Sequence, residues 1–165
     1  MSIDRRIVDS MERAGVDLVC SVPCNLLSGI LRLLDAGRVR HVPVTREEEG
    51  VGIAAGAALA GGRPLLLMQN SGLGNCVNAL ASLSTLYELP LFLLMSCRGG
   101  AHEPIAAQKP MGAAAPAMLE ALGIPCSFIA TEADLGQLER AMRSAYTDST
   151  VRAAFLQPEL WSCSA

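Results

Sequence analysis

Ile3, Ile7, Val8 and Met11 recur at intervals of three and four residues and stop at Gly15, so the chain opens with an amphipathic helix. A short apolar run, DLVCSVP, follows and predicts a strand. The same alternation then repeats along the chain. LLSGILRLLDAG reads as a helix and RHVPVT as a strand, and EEEGVGIAAGAALAGG reads as a helix of small residues ended by paired glycines. RPLLLMQN and LPLFLLMS are strands separated by the helical NCVNALASLSTLYE. Their unbroken apolar character predicts burial on both faces, as in a parallel sheet, because a strand wetted on one side alternates. After the polar stretch SCRGGAHEPIAAQKPMG come a helix (AAAPAMLEALG), a strand (PCSFIA), a long helix (EADLGQLERAMRSAYTD) and a last strand (VRAAFLQP). Strands alternating with helices at this spacing predict a three-layer α/β/α fold with a central, mainly parallel sheet of about six strands.

Composition narrows the picture. A chain of 165 residues with 51% hydrophobic content and a mean hydropathy of +0.35 is expected to form one domain, residues 1–165. No linker or low-complexity segment interrupts it. With 13 basic and 16 acidic residues and no basic run, nothing in the charge invites nucleic acid or an anionic membrane. Aromatics are only 4%, so Ala, Leu and Val carry the apolar content, and a partner chain is expected to cover part of the surface. No apolar run reaches membrane-spanning length, and the charged N-terminus is not a leader peptide, so a cytoplasmic location is expected. Cys20, Cys24, Cys76, Cys97, Cys126 and Cys163 lack paired ligand spacing, and most of them read as small core residues in a reducing compartment, with no metal site expected.

In a sheet of this kind ligands meet the loops at the carboxyl ends of the strands, here SVPCN, TREEE, QNSGLGN and SCRGGAHEPIAAQKPMG. QNSGLGN lacks the Lys of a P-loop and the full dinucleotide fingerprint. Its neutral hydrogen-bonding residues, Gln69, Asn70, Ser71 and Asn75, suit an uncharged heterocycle or a polar reaction intermediate, and the glycines alone fit a tight strand-to-helix turn equally well. Thr45-Arg46-Glu47-Glu48 has the form of a capping box, which assigns Glu48 to the helix start. Glu47 and Glu49 point elsewhere, since successive helical residues are turned by roughly 100°. Each of the three acids also fits a solvated first turn favoured by the helix dipole. Arg98, His102, Glu103 and Lys109 share one loop that could clamp an oxyanion or simply be polar and mobile. No Ser-His-Asp arrangement stands out.

The string MQNSGLGNCVNALASL, with SVPCNLL, HVPVTREEEGVGIAAGAALAG, SCRGG and AAQKPMG, resembles the sulfopyruvate decarboxylase α-subunit family over residues 3–157. That family is the pyrimidine-binding (PYR) half of thiamine-diphosphate-dependent decarboxylases and is close to phosphonopyruvate decarboxylase. The resemblance implies that Glu47, nine residues before Gly56, bonds the pyrimidine N1′ of the cofactor and so promotes formation of the reactive thiazolium carbanion. It implies that Asn70, Ser71, Gly72 and Asn75 line the cofactor, while Cys24, Asn25, Gln69, Arg98, His102 and Lys109 face a small anionic 2-oxo acid. It also implies close packing of the small-residue helix through Gly50, Gly52, Ala54, Ala55 and Gly56. The GDG motif that holds diphosphate and Mg²⁺ in such enzymes does not occur here, so a β subunit with the diphosphate-binding (PP) domain is expected, together with homodimeric pairing of this chain. Ser21-Val22-Pro23-Cys24-Asn25 looks like the sulfopyruvate pattern, whereas His102-Glu103-Pro104 is similar to the phosphonopyruvate loop. The resemblance makes conversion of 3-sulfopyruvate to sulfoacetaldehyde and CO₂ the leading expectation, with 3-phosphonopyruvate the alternative substrate and a PYR-fold binding or assembly protein without turnover the alternative of another class.

Overall fold

The computed structural model describes residues 1–101 and 103–162. Helix α1 (Ile3–Ala14) begins where the Ser2 side chain accepts the Arg5 N–H and ends at Gly15, whose left-handed backbone (φ 80°) returns its N–H to the last turn. Strand β1 (Leu18–Ser21) follows, then α2 (Ser28–Asp35), β2 (Arg40–Pro43), α3 (Glu47–Leu59) and β3 (Pro64–Gln69). Helix α4 (Leu73–Ala79) runs straight into a π-helical turn over Leu80–Thr85 before β4 (Leu91–Ser96). The chain continues through α5 (Lys109–Ala121), β5 (Cys126–Ile129), α6 (Leu135–Thr147), β6 (Val151–Leu156) and a short α7 (Glu159–Ser162).

All six strands are parallel, in the order β2-β1-β3-β4-β6-β5. The expected sheet is therefore present and is wholly, not mainly, parallel. β3 and β4 sit at its centre, and their side chains are divided between two cores. Leu65, Leu67, Phe92 and Leu94 pack under α1, α2 and α6. Leu66, Met68, Leu93 and Met95 pack under α3, α4 and α5. This division explains the unbroken apolar runs, since each alternate residue has a core of its own. β2 and β5 are edge strands, and both are less buried than the centre.

The polar stretch before α5 is shorter than its composition suggests. α5 begins at Lys109 rather than at Ala113, with Pro110 in its first turn, where a missing N–H costs nothing. Gly112 lies inside this helix, and only glycine fits there, because a Cβ would run into the carbonyl of Arg98. Among the described residues no helix is long and apolar enough to cross a membrane.

Candidate functional site

The loops after β1, β2, β3 and β4 converge at the carboxyl ends of the central strands, and three polar clusters form there. The first is built around Glu47, which is the first residue of α3 and only 8% exposed. Its Oε2 accepts a hydrogen bond from Asn75 Nδ2 at 2.7 Å. No donor among the described residues reaches Oε1. Gly72 lies against this carboxylate so closely that a Cβ would overlap the Glu47 side chain. Gly72 has ordinary helical angles (φ −65°, ψ −18°), so the glycine is required by space and not by backbone conformation. Beneath it, burial first and the Glu47 charge second push the Cys76 thiol up to about 12.

The neighbouring acids correct one expectation. The helix N-cap is Arg46, not Thr45, and it makes no side-chain capping bond. The helix therefore starts one residue later than the Thr45–Glu48 box requires, and Glu49 becomes the acid that reaches back, accepting the Thr45 N–H at 2.9 Å. Glu48 instead takes the Arg46 guanidinium at 2.6 Å. Its own helical N–H and then Arg46 hold its carboxyl below the usual carboxylate range.

The second cluster joins Cys24, Gln69 and Ser71. Cys24 Sγ lies 3.3 Å from Ser96 Oγ and 3.6 Å from Gln69 Oε1. Gln69 Nε2 donates to Ser71 Oγ and, at 2.7 Å, to Gln108 Oε1 at the start of α5. Ser96 and Gln108 were not among the residues expected at the site. Ser96 ends an apolar run, and only strand register brings its hydroxyl to Cys24.

Arg98 and Glu103 form the third cluster. Their bidentate pair (2.7 and 2.6 Å) is reinforced by the Gly99 and Ile105 N–H groups, which also donate to Glu103. The Arg98 guanidinium first, against the opposing effect of burial, and then these N–H groups pull the Glu103 carboxyl down to about 2. Asn70 is buried and spends both ends of its amide on the Arg98 backbone, donating to its carbonyl at 2.9 Å and accepting its N–H at 3.2 Å. It thereby ties the loop after β3 to the loop after β4. Asn25 is exposed and shares the lining of a cavity of about 630 Å³ with Arg98 and Glu103. Lys109 is exposed at the head of α5. His102 lies outside the described residues.

One constellation not visible in sequence order is a Ser-His-Asp line. His41 bonds Ser21 Oγ through Nε2 and Asp35 through Nδ1, each at 2.8 Å. Ser21 is 1% exposed within β1, and its hydroxyl is occupied by the His41 ring. The line pins β1 to β2 and α2.

The Glu47 cluster offers a buried carboxylate with one oxygen that no donor among the described residues reaches, amide and hydroxyl neighbours, and a glycine whose missing side chain accommodates the carboxylate. This donor set fits a neutral, nitrogen-bearing heterocycle such as an aminopyrimidine. It does not fit a metal: among the described residues no group of His, Cys, Asp and Glu is arranged to hold one.

A family model described as the N-terminal TPP binding domain of thiamine pyrophosphate enzymes matches residues 1–144, and the chain belongs to that family. Within it, the chain is similar to proteins named for sulfopyruvate. The sulfopyruvate decarboxylase of Methanosarcina acetivorans is 38% identical over 161 residues, which is 98% of this chain but 41% of that protein. The sulfopyruvate decarboxylase subunit alpha of Methanothermobacter thermautotrophicus is 53% identical over 116 residues, 70% of either chain. The phosphonopyruvate decarboxylase of Streptomyces viridochromogenes is 37% identical over 94 residues, covering 56% of this chain and 24% of that one.

Proposed function

We propose that this chain is the PYR subunit of a thiamine-diphosphate-dependent decarboxylase that converts 3-sulfopyruvate to sulfoacetaldehyde and CO₂, as in coenzyme M biosynthesis. The observation that carries the reading is the Glu47 carboxylate, buried at the mouth of the sheet with Oε1 open and Oε2 held by Asn75. Thiamine diphosphate, when bound, supplies a carbanion nucleophile and an electron sink for decarboxylation. Glu47 holds or releases a proton at Oε1. Asn75 fixes the rotamer so that this oxygen, and not the other, faces the cleft. Gly72 lets the carboxylate sit where a larger residue would displace it, and Ser71 and Gln69 present neutral hydrogen-bonding groups to a ring that carries no formal charge.

The anionic end of the substrate is assigned here to Lys109. Arg98 spends its Nε and Nη2 donors on Glu103, whereas Lys109 has no partner among the described residues and adjoins Gln108, which bonds Gln69. Cys24 and Asn25 border the approach from β1.

Diphosphate and Mg²⁺ are assigned to a separate PP subunit. The outer face of α3 supports such a partner. Ile53 and Leu59 are exposed there, and nothing lies within 4 Å of a Cβ built on Gly52 or Gly56. A second chain, whether the PP subunit or another copy, can approach that face to backbone distance and cover the leucine and isoleucine. In this reading the folded unit is one PYR domain, acts in the cytoplasm, and is inactive by itself.

The test is co-purification with a PP-domain partner, followed by CO₂ release assays on sulfopyruvate and phosphonopyruvate side by side. Turnover of sulfopyruvate that depends on both subunits is expected. Preference for phosphonopyruvate would move the assignment to that substrate, and a stable complex that releases CO₂ from neither would sink the catalytic reading.

A further inference from the structure

We infer that β5, at one edge of the sheet, is a docking surface for a second copy of this chain, paired antiparallel about a twofold axis through Ser127. The inference stands apart from the α3 face and from the reading of Glu47. The two edges of the sheet differ in how they are protected. β2 carries Arg40, His41 and Pro43, and charge and proline are the usual means of keeping a foreign strand away. β5 reads Cys126-Ser127-Phe128-Ile129, and no charged residue occurs from Ala121 to Thr131. The ladder on its inner side shows which backbone groups are left over. Pro125 and Ile129 give their carbonyls to the Ala153 and Gln157 N–H groups, each at 2.9 Å, so the residues between, Cys126 and Phe128, turn N–H and C=O away from β6. Those groups form the open rim of the sheet.

Shape selects the occupant. Phe128 stacks on Phe155, with 5.0 Å between ring centres, on the side of the sheet that α5 covers, yet it is 45% exposed. It is a knob. Beside Cys126, on the same side, lies an open groove of about 660 Å³ walled by Ala113, Pro116 and Ala117 of α5, with Glu120 as its one charged residue. Antiparallel pairing about Ser127 sets Cys126 opposite the copy's Phe128 as a hydrogen-bonded pair, and opposed residues share a face of the sheet. Each phenyl ring therefore enters the other chain's groove and meets its thiol, a favourable sulfur–aromatic contact. The small residues of α5 leave room for it. A strand from an unrelated protein would satisfy the backbone rim but would have to bring its own aromatic to the matching place. The copy already carries one, since knob, hole and rim lie on a single strand and a twofold exchanges them, as an interface between identical chains requires.

Light scattering and amide hydrogen exchange on the full chain, alone and in complex with its PP subunit, test this without reference to turnover. The wild type is expected to self-associate, with the Cys126 and Phe128 amides protected in both preparations although they face outward on a free strand. Ala117→Glu puts a good helix former at an exposed position of α5 and fills the groove. It is expected to weaken self-association at least tenfold and release both amides while leaving the circular dichroism spectrum unchanged. Phe128→Lys removes the knob and guards the edge with charge, and the same loss is expected. Rapid exchange at both amides in the wild type, or self-association undiminished in both variants, would overturn the proposal. Protection that appears only with the PP subunit would overturn it as well, by giving the edge to that subunit.

Discussion

The carboxylate of Glu47 is defined by its neighbours as much as by itself. Proton positioning of this kind contributes on the order of 10²–10⁴-fold to rate, so Glu47→Gln is expected to cut CO₂ release by that range in the two-subunit enzyme. Its circular dichroism and melting profile should match the wild type. Gly72→Ala separates space from chemistry. Alanine suits the backbone there better than glycine does, yet its methyl group would displace the Glu47 carboxylate. Weaker cofactor binding with an unaltered or raised melting temperature is the expected result; tight binding would mean that the glycine is incidental. At this scale the sequence is only partly legible. Adjacent acids at a helix start look alike, and periodicity alone divides Glu47, Glu48 and Glu49 without saying which faces the cleft. The resemblance singled out Glu47, and the fold then buries it. The capping assignment failed by one residue, because the start of a helix depends on backbone angles at Arg46 that no side-chain pattern encodes. Glu49→Gln should therefore cost about 0.5–1 kcal/mol in chemical denaturation, and Glu48→Gln less.

At the scale of elements the hydrophobic pattern is far more informative. All six strands and every long helix stand where alternation puts them, because central strands of a parallel sheet need apolar residues on both faces and nothing else in the chain supplies such runs. The exceptions are local. Lys-Pro-Met-Gly reads as loop, yet it is the first turn of α5, since proline is tolerated there and Gly112 is needed where the helix crosses the Arg98 carbonyl. A methyl group at that crossing meets backbone, which cannot rotate away. Gly112→Ala is expected to destabilise the chain by about 1–3 kcal/mol despite alanine's higher helix propensity, measured by urea unfolding. A neutral or stabilising result would show that α5 is free to shift. The clusters around Cys24 and Asn70 were not foreseeable in detail. Their partners come from β4 and α5, and only strand register and a tertiary contact bring those side chains together.

For the whole molecule, the Arg98–Glu103 pair links stability to pH. The Glu103 carboxyl has its ordinary value of 4.5 in the unfolded chain and about 2 in the folded one. Its contribution is therefore fully present above about pH 4.5 and is lost as pH falls towards 2. Thermal melts across this interval should fall more steeply for the wild type than for Glu103→Gln, with the two curves converging at the acid end. Parallel curves would mean that the pair forms equally in the unfolded chain. Six thiols also run through the sequence, and burial raises Cys20 to about 11 and Cys76 to about 12, so neither is expected to react with maleimide at neutral pH while the fold is intact.

The π-helical turn over Leu80–Thr85 holds one residue more than an α-helical path of the same span would need. Excising a single residue from that stretch would let α4 continue with regular spacing over the same span, so that Asn75, upstream, keeps its grip on Glu47 and β4, downstream, keeps its place in the sheet. In a regular helix the same deletion would turn everything beyond it by about 100°. This stretch is therefore the place in α4 where the chain can lose a residue and still close.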